Sequence, residues 1–371
     1  MAIKILGDIV SVVSEHISNP NKSGYQIFVG LEHYDSGEPV ITRHGSTEQL
    51  ESSVKHFIEG DILVARRNVY LKRAGVVNFE GVTSGDSIVL RVKEEKYKDI
   101  IPFILNTDDF WDYAEQNSDG TKSKRLAPDV LLEYECNIPE NHQSIADKLW
   151  AAYKLKVSYR QMITATDEMV KSQFIEMFGD PMTNTKEWSE YGKINQYAQV
   201  IFGTTPNSKE ASYWVGDIKW ITPAEMTDES YYIYDTERQI TEDGVKSASL
   251  TLLPYRSVLF STRAPIGKVG LAGSPMYCNQ GFKNFICGEK LNPVYLYYSL
   301  IYKRDYLISL GTGTTFKELS KKTVEGLNIA VPPIHLQNQF ESIYDQADKS
   351  KFELRKSIEA IDAVIKSLIN G

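Results

Sequence analysis

Residues 61–75 read DILVARRNVYLKRAG, and residues 257–270 read SVLFSTRAPIGKVG. Both are apolar runs that end in arginine and pass through lysine to glycine. Laying Arg67 on Arg263 sets an offset of 196 (67 to 263), and that offset also lays Gly85 of TSGDSIVL on Gly281 of NQGFKNFI. Further along, Gly120 and Thr121 of DGTKSKRL fall on Gly313 and Thr314 of GTGTTFKEL at an offset of 193 (120 to 313), which also matches Pro139 to Pro332. At 195 (160 to 355), Arg160 meets Arg355, and Lys171–Ser172 meet Lys366–Ser367. The chain therefore reads as a tandem duplication with halves at 1–180 and 181–371, joined near FGDPMTNT, where Gly179 and Pro181 suit the end of a helix.

Each half divides again. Its first part holds short β-rich runs such as YQIFVGL, DILVARR and SIVLRV, or IKWIT, SVLFSTR and NFIC, separated by Gly, Asn and Asp turns. Then come two stretches, Gln143–Met177 and Leu336–Ile369, with neither Gly nor Pro, which predict long helices. Apolar residues recur along them in steps of four and three: Ile145, Leu149, Ala152, Tyr159, Ile163 and Val170 in the first, and Phe340, Tyr344, Ala347, Leu354, Ile358, Ile361, Ile365 and Leu368 in the second. Lys156 and Lys351 interrupt the two series at matching places, so the pattern is a coiled-coil seam with one polar layer. Such stripes also suit helices that pack on their own domains. However, a helix of roughly 35 residues runs about 52 Å at 1.5 Å per residue, longer than a domain of about 140 residues is wide. Pairing the two with each other is the simpler arrangement, and an antiparallel pair would act as a spacer. The expected fold is α+β: two mixed α/β domains in tandem at 1–140 and 181–333, separated by two long antiparallel coiled-coil helices at 141–180 and 334–371. The first helix also carries Leu155, Met162 and Met169 at seven-residue spacing outside its seam, a second apolar stripe that suits a partner protein.

Composition narrows the function. With 42% hydrophobic residues the chain is globular. The start MAIKILGDIVSVVSEH reads as neither a signal peptide nor a membrane anchor, and no window holds about 18 uninterrupted apolar residues. Three cysteines without a CxxC pair point to a reducing, cytoplasmic setting. The net charge of −8 argues against non-specific coating of nucleic acid. There is no P-loop, HExxH, GxSxG or zinc-spaced Cys/His cluster, so the chain is expected to hold no catalytic residues, metal or cofactor of its own.

Binding fits better, because the loops are locally basic. Arg66, Arg67, Lys72 and Arg73 follow the first apolar run, and Arg256, Arg263 and Lys268 flank the second. Lys122 and Lys124 lie in SDGTKSKR, and Thr312, Thr314 and Lys317 in GTGTTFKEL. An arginine fork fits guanine O6/N7 or phosphate, glycine lets a backbone approach a ligand, and hydroxyls and lysines suit phosphates.

The order FIEGDILVARRNVYLKRAGVV, LTLLPYRSVLFSTRAPIGKVGLA, LGTGTTFKELSKKTVEGLNIAVPPIHLQNQF and KSKFELRKSIEAIDAVIKSLI resembles the DNA specificity subunits of type I restriction–modification systems. The resemblance covers essentially the whole chain, is most specific over 307–368, and is looser in the first half, where NIPENHQSIADKL replaces VPPIHLQNQF. It implies a non-catalytic subunit whose two target-recognition domains each read half of a split duplex target. It also implies that the helices separate those domains and dock two methyltransferase subunits, which carry S-adenosylmethionine and methylate adenine, with restriction subunits joining the complex. The alternative is a coiled-coil scaffold that binds only proteins. A further alternative is a stand-alone nuclease or transferase, which would turn over S-adenosylmethionine and DNA without a partner. If the helices are the ruler, inserting one heptad after Thr164 and one after Glu359 adds about 10.5 Å. Methylome sequencing should then find the half-sites about three base pairs further apart, and an unchanged gap would refute the ruler.

Overall fold

The apolar run of 61–75 forms a strand whose every residue is buried, Ile62–Ala65, and a sheet is built around it. In the computed structural model, which describes residues 2–120, 123–227, 231–313 and 317–370, the chain forms two units, Met1–Met162 with Glu353–Gly371 and Ile163–Phe352. The first unit has a five-stranded sheet of β1 (Val10–Val13), β2 (Val40–Ile41), β3 (Ile62–Ala65), β4 (Ala74–Val77) and β5 (Ser87–Val92), in the order β1-β5-β3-β4-β2. All neighbours are antiparallel except β2 and β4, which run parallel. The second unit repeats this strand for strand with β6 (Ala198–Phe202), β7 (Tyr232–Ile233), β8 (Val258–Thr262), β9 (Ile266–Ala272) and β10 (Lys283–Cys287), in the order β6-β10-β8-β9-β7. Its one parallel pair, β7 with β9, is the counterpart of β2 with β4. The duplication is therefore present in topology as well as in sequence. The units differ in their second sheet, which has five strands in the first unit and three in the second.

A short strand pair closes each globular part just before its helix, Ala2–Ile5 with Glu135–Ile138 and Tyr191–Lys193 with Asn328–Ala330. The helices that follow, α1 (His142–Phe178) and α2 (Ile334–Asn370), have 37 residues each.

All the residues of the expected seam are buried or half-buried. Their packing is broader than a seam between two helices. In the first unit Ile145 and Leu149 of α1 and Ile365 and Leu368 of α2 join a core with Ile62, Val64 and Trp111. In the second, Val170 and Phe174 of α1 and Phe340, Tyr344 and Ala347 of α2 join a core with Phe260, Phe285 and Tyr295. The stripes are wide enough to serve both a partner helix and a domain, as an apolar face of more than about 100° allows.

The interrupting lysines have partners that follow the same repeat. Lys156 Nζ lies 2.6 Å from Asp362 Oδ1 and 2.9 Å from Glu38 Oε1, and Lys351 Nζ lies 2.8 Å from Asp167 Oδ1. Asp167 and Asp362 are related by the 195-residue offset that relates the lysines (156 to 351, 167 to 362), so each unit holds one copy of an interhelical Lys–Asp pair. These pairs set the two helices antiparallel within each unit. Arg160 also donates to Glu38, at 2.8 Å. Burial pushes the Glu38 carboxyl up, but hydrogen bonds from Arg160 and Lys156 outweigh it and hold the group below its ordinary value of 4.5.

Replacing either lysine by methionine keeps the stem and removes the charge. Lys156→Met should cost about 1–3 kcal/mol, below the full figure for a broken buried pair because Arg160 still faces Glu38. Lys351→Met should cost less, because Asp167 is 42% exposed and can hydrate, whereas Glu38 is 11% exposed. Glu38 has a depressed folded pKa, so its contribution is present above about pH 4.5 and is lost as the pH falls through the folded value. The gap between wild type and Lys156→Met should therefore narrow in acid. Denaturant midpoints that show no gap, or the reverse ranking, would contradict this account.

Candidate nucleic-acid interface

The two offsets found in the sequence, 196 and 193, meet at one place in each unit. In the first, Arg66, just past the end of β3, donates its N–H to Asp86 O at 2.9 Å, and its carbonyl accepts from Leu126 N at 2.8 Å. Arg67 forms a β-bridge with Arg125, which bridges Asp119 in turn through paired hydrogen bonds of 3.0 and 2.8 Å. In the second unit Thr262 donates to Gly281 O at 2.8 Å and accepts from Leu319 N at 3.0 Å. Arg263 bridges Glu318, and Glu318 bridges Thr312 with bonds of 3.1 and 2.9 Å. Each returning segment holds a glycine with positive φ, Gly120 at 102° and Gly313 at 126°, a conformation that costs glycine no steric penalty. The strand-end arginine and the Gly-Thr segment were separate motifs in the sequence. They are adjacent in the fold.

The side chains here are charged and partly open. Arg67 Nε donates to Ser123 Oγ at 3.0 Å, and its guanidinium lies 3.6 Å from Asp86. Arg125 lies 3.2 Å from the other oxygen of Asp86. In the second unit Arg263 lies 3.8 Å from Glu318, whose other oxygen is 3.1 Å from Lys283 Nζ. Lys283 also donates to Thr262 Oγ1 at 3.0 Å. Asp86, Arg125, Lys283 and Glu318 were not singled out in the sequence; the signal available was the offset of 193 that relates Arg125 to Glu318, while Asp86 and Lys283, 197 apart (86 to 283), follow neither offset.

The remaining sequence candidates divide. Thr312 and Lys317 are exposed in the same segment as Glu318, while Lys122 and Thr314 lie outside the described residues. Arg66 is half-buried beside Arg67. Several others are tied into their own fold. Arg73 donates to Leu31 O at 2.9 Å and Arg67 O at 3.2 Å. Lys124 donates to Glu115 O at 2.9 Å. Lys268 donates to Pro223 O and Met226 O at 3.0 and 2.7 Å, and Arg256 pairs with Glu341 of α2 at 2.5 Å. Lys72 shares Asp108 with Lys366, each at 2.7 Å. Hydrogen bonds from Lys366 and then Lys72 hold that carboxyl down at about 2.

On α1, Leu155, Met162 and Met169 are 44%, 55% and 51% exposed. Burial pushes the thiols of Cys136, Cys278 and Cys287 up to about 11, 12 and 12, which leaves them protonated and poorly nucleophilic at neutral pH. Among the described residues no group of three or more His, Cys, Asp or Glu could hold a metal, and no helix is long and apolar enough to cross a membrane.

Residues 185–362 match the family described as type I restriction modification DNA specificity domain. The chain is similar to the type I restriction enzyme MjaIX specificity subunit of Methanocaldococcus jannaschii, with 36% identity over 189 residues, 50% of this chain and 44% of that protein. That match thus takes in less than half of the relative's length. The putative MjaX specificity subunit of the same organism is 23% identical over 400 residues, covering 99% of this chain and 91% of that one. Among solved structures, the type I restriction–modification S subunit from M. genitalium has a TM-score of 0.59 at 11% identity, over 99% of this chain and 94% of that one, a likeness of fold alone.

The turn geometry is testable. Alanine at Gly120 or Gly313 would sit at a φ that L-residues avoid, at a cost of about 1–3 kcal/mol localised to the returning segment. The amides of Arg125 and Glu318 should then exchange with solvent at least about tenfold faster in Gly120→Ala and Gly313→Ala respectively. Unchanged exchange would mean that these glycines do not hold the bridge.

Proposed function

We propose that the chain is a type I restriction–modification specificity subunit, a reading supported by the match over residues 185–362 and the 36% identity over half of the chain, and that it selects the DNA target of such a complex, each of its two domains reading one half of a bipartite duplex sequence. The observation that carries this is the repeated edge: in each unit an exposed or half-exposed arginine at the end of a buried strand is bridged to a segment from far along the chain that holds a positive-φ glycine. Two such edges suit two half-sites. Because the two edges differ in their side chains, the half-sites should differ in sequence.

Local charge supports the reading despite the net −8. Arg67 and Arg125 share one acid, as do Arg263 and Lys283, so each edge keeps an excess cation to attract phosphate within a Debye length of about 8–10 Å. The chemistry falls to partners. Two methyltransferase subunits, which bind S-adenosylmethionine, would dock along the long helices, with the exposed Leu155, Met162 and Met169 as the apolar contact on α1. Restriction subunits would join through that complex.

The test uses the full chain assembled with its methyltransferase subunits and duplexes carrying the methylated motif. Arg67→Ala and Arg263→Ala should each weaken binding by about 1–3 kcal/mol if the arginine reads a base, with relaxed preference in one half-site only. A phosphate contact would instead weaken every sequence alike and lower the salt slope by about one. Equal affinity, specificity and salt dependence in both variants would remove this edge from the interface.

A further inference from the structure

The two edges share a backbone but exchange their chemistry, and that exchange bears on what each one reads. In the first unit the acid is on the strand side, Asp86 in the turn before β5, and the returning segment supplies a base, Arg125. In the second the base is on the strand side, Lys283 at the start of β10, and the returning segment supplies the acid, Glu318. Arg67 and Arg263 occupy the same position in both. Each edge is therefore a triad of two cations about one carboxylate, equal in net charge and opposite in arrangement.

Exposure turns this arrangement into two different hydrogen-bonding surfaces. Arg67 and Arg125 are 46% and 54% exposed while Asp86 is 27% exposed, so the first edge presents two donor forks around a recessed carboxylate. In the second edge Lys283 is 8% exposed and Glu318 is 41% exposed beside Arg263 at 34%, so an acceptor stands open next to a single fork. In the major groove a guanidinium matches guanine O6/N7, and a carboxylate accepts from the cytosine N4 amino group. We propose that these triads determine the specificity of the two half-sites: Arg67 and Arg125 select guanines in the first, and Arg263 with Glu318 selects a guanine and a cytosine in the second. Asp86 is then a positioning residue that holds both forks, and Lys283 holds Glu318 from below.

This inference rests on the reading of the chain as a target-selecting subunit. The experiment co-expresses the full chain with its methyltransferase subunits and maps methylated motifs across genomic DNA. Arg125→Ala should accept other bases at one guanine position of the first half-site, with at least about a tenfold rise in methylation of the substituted sites, and should leave the second half unchanged. Glu318→Gln should move one cytosine position of the second half-site towards adenine, which a glutamine amide matches at N6/N7, and should leave the first half unchanged. Both bridges are made by backbone groups, so both variants are expected to fold. Should Glu318→Gln not assemble, Lys283→Met combined with Glu318→Gln removes the buried cation and is expected to give the same shift. Normal methylation with an unaltered motif, or a change in the wrong half, would overturn the triads as readers. A wild-type complex with no bipartite motif would overturn the underlying reading instead.

Discussion

At each edge a long-range backbone hydrogen bond ties the returning segment to the strand end, from Leu126 N to Arg66 O in the first unit and from Leu319 N to Thr262 O in the second. It pins the returning segment beside the strand, where the charged side chains of both segments converge. Ordering side chains in advance of binding lowers the entropic cost of recognition. The repeat of this contact gives one chain two edges that carry different side chains on a similar backbone frame.

Much of this was legible in the residues. The duplication, both long helices and the apolar stripes followed from offsets and periodicity, because backbone hydrogen bonding and burial impose those periods on any sequence that folds this way. The acid partners of the seam lysines were also within reach, since Asp167 and Asp362 obey the same offset as Lys156 and Lys351. What could not be read was the joining of the two motifs into one edge. One followed an offset of 196 (67 to 263) and the other of 193 (120 to 313), and nothing local says that segments some 58 residues apart (67 to 125) will pair.

The candidate basic residues show the same limit from another side. Arg67 and Arg263 stand at the bridge, but Arg256 is drawn to Glu341 and Lys268 to the carbonyls of Pro223 and Met226. In a sequence these are all arginines or lysines beside an apolar run. Whether a cation is open or committed depends on which acid or carbonyl the fold brings within about 3 Å, and those partners come from other segments of the chain. Local composition identifies a basic loop; tertiary structure decides which of its charges remain available.

The division of the chain also sets an order of synthesis. The core of the first unit includes Ile365, Leu368 and Ile369 as well as Leu6 and Ile9, and Lys366 is fixed to Asp108. That unit cannot be completed until residues 353–371 have left the ribosome, whereas the second unit draws only on the internal span Ile163–Phe352. The first unit therefore does not finish well ahead of the second, as an N-terminal domain usually does. During elongation the growing chain carries a first sheet whose apolar face still lacks the last turns of α2. Until then, that uncovered apolar surface is open to aggregation and to capture by chaperones.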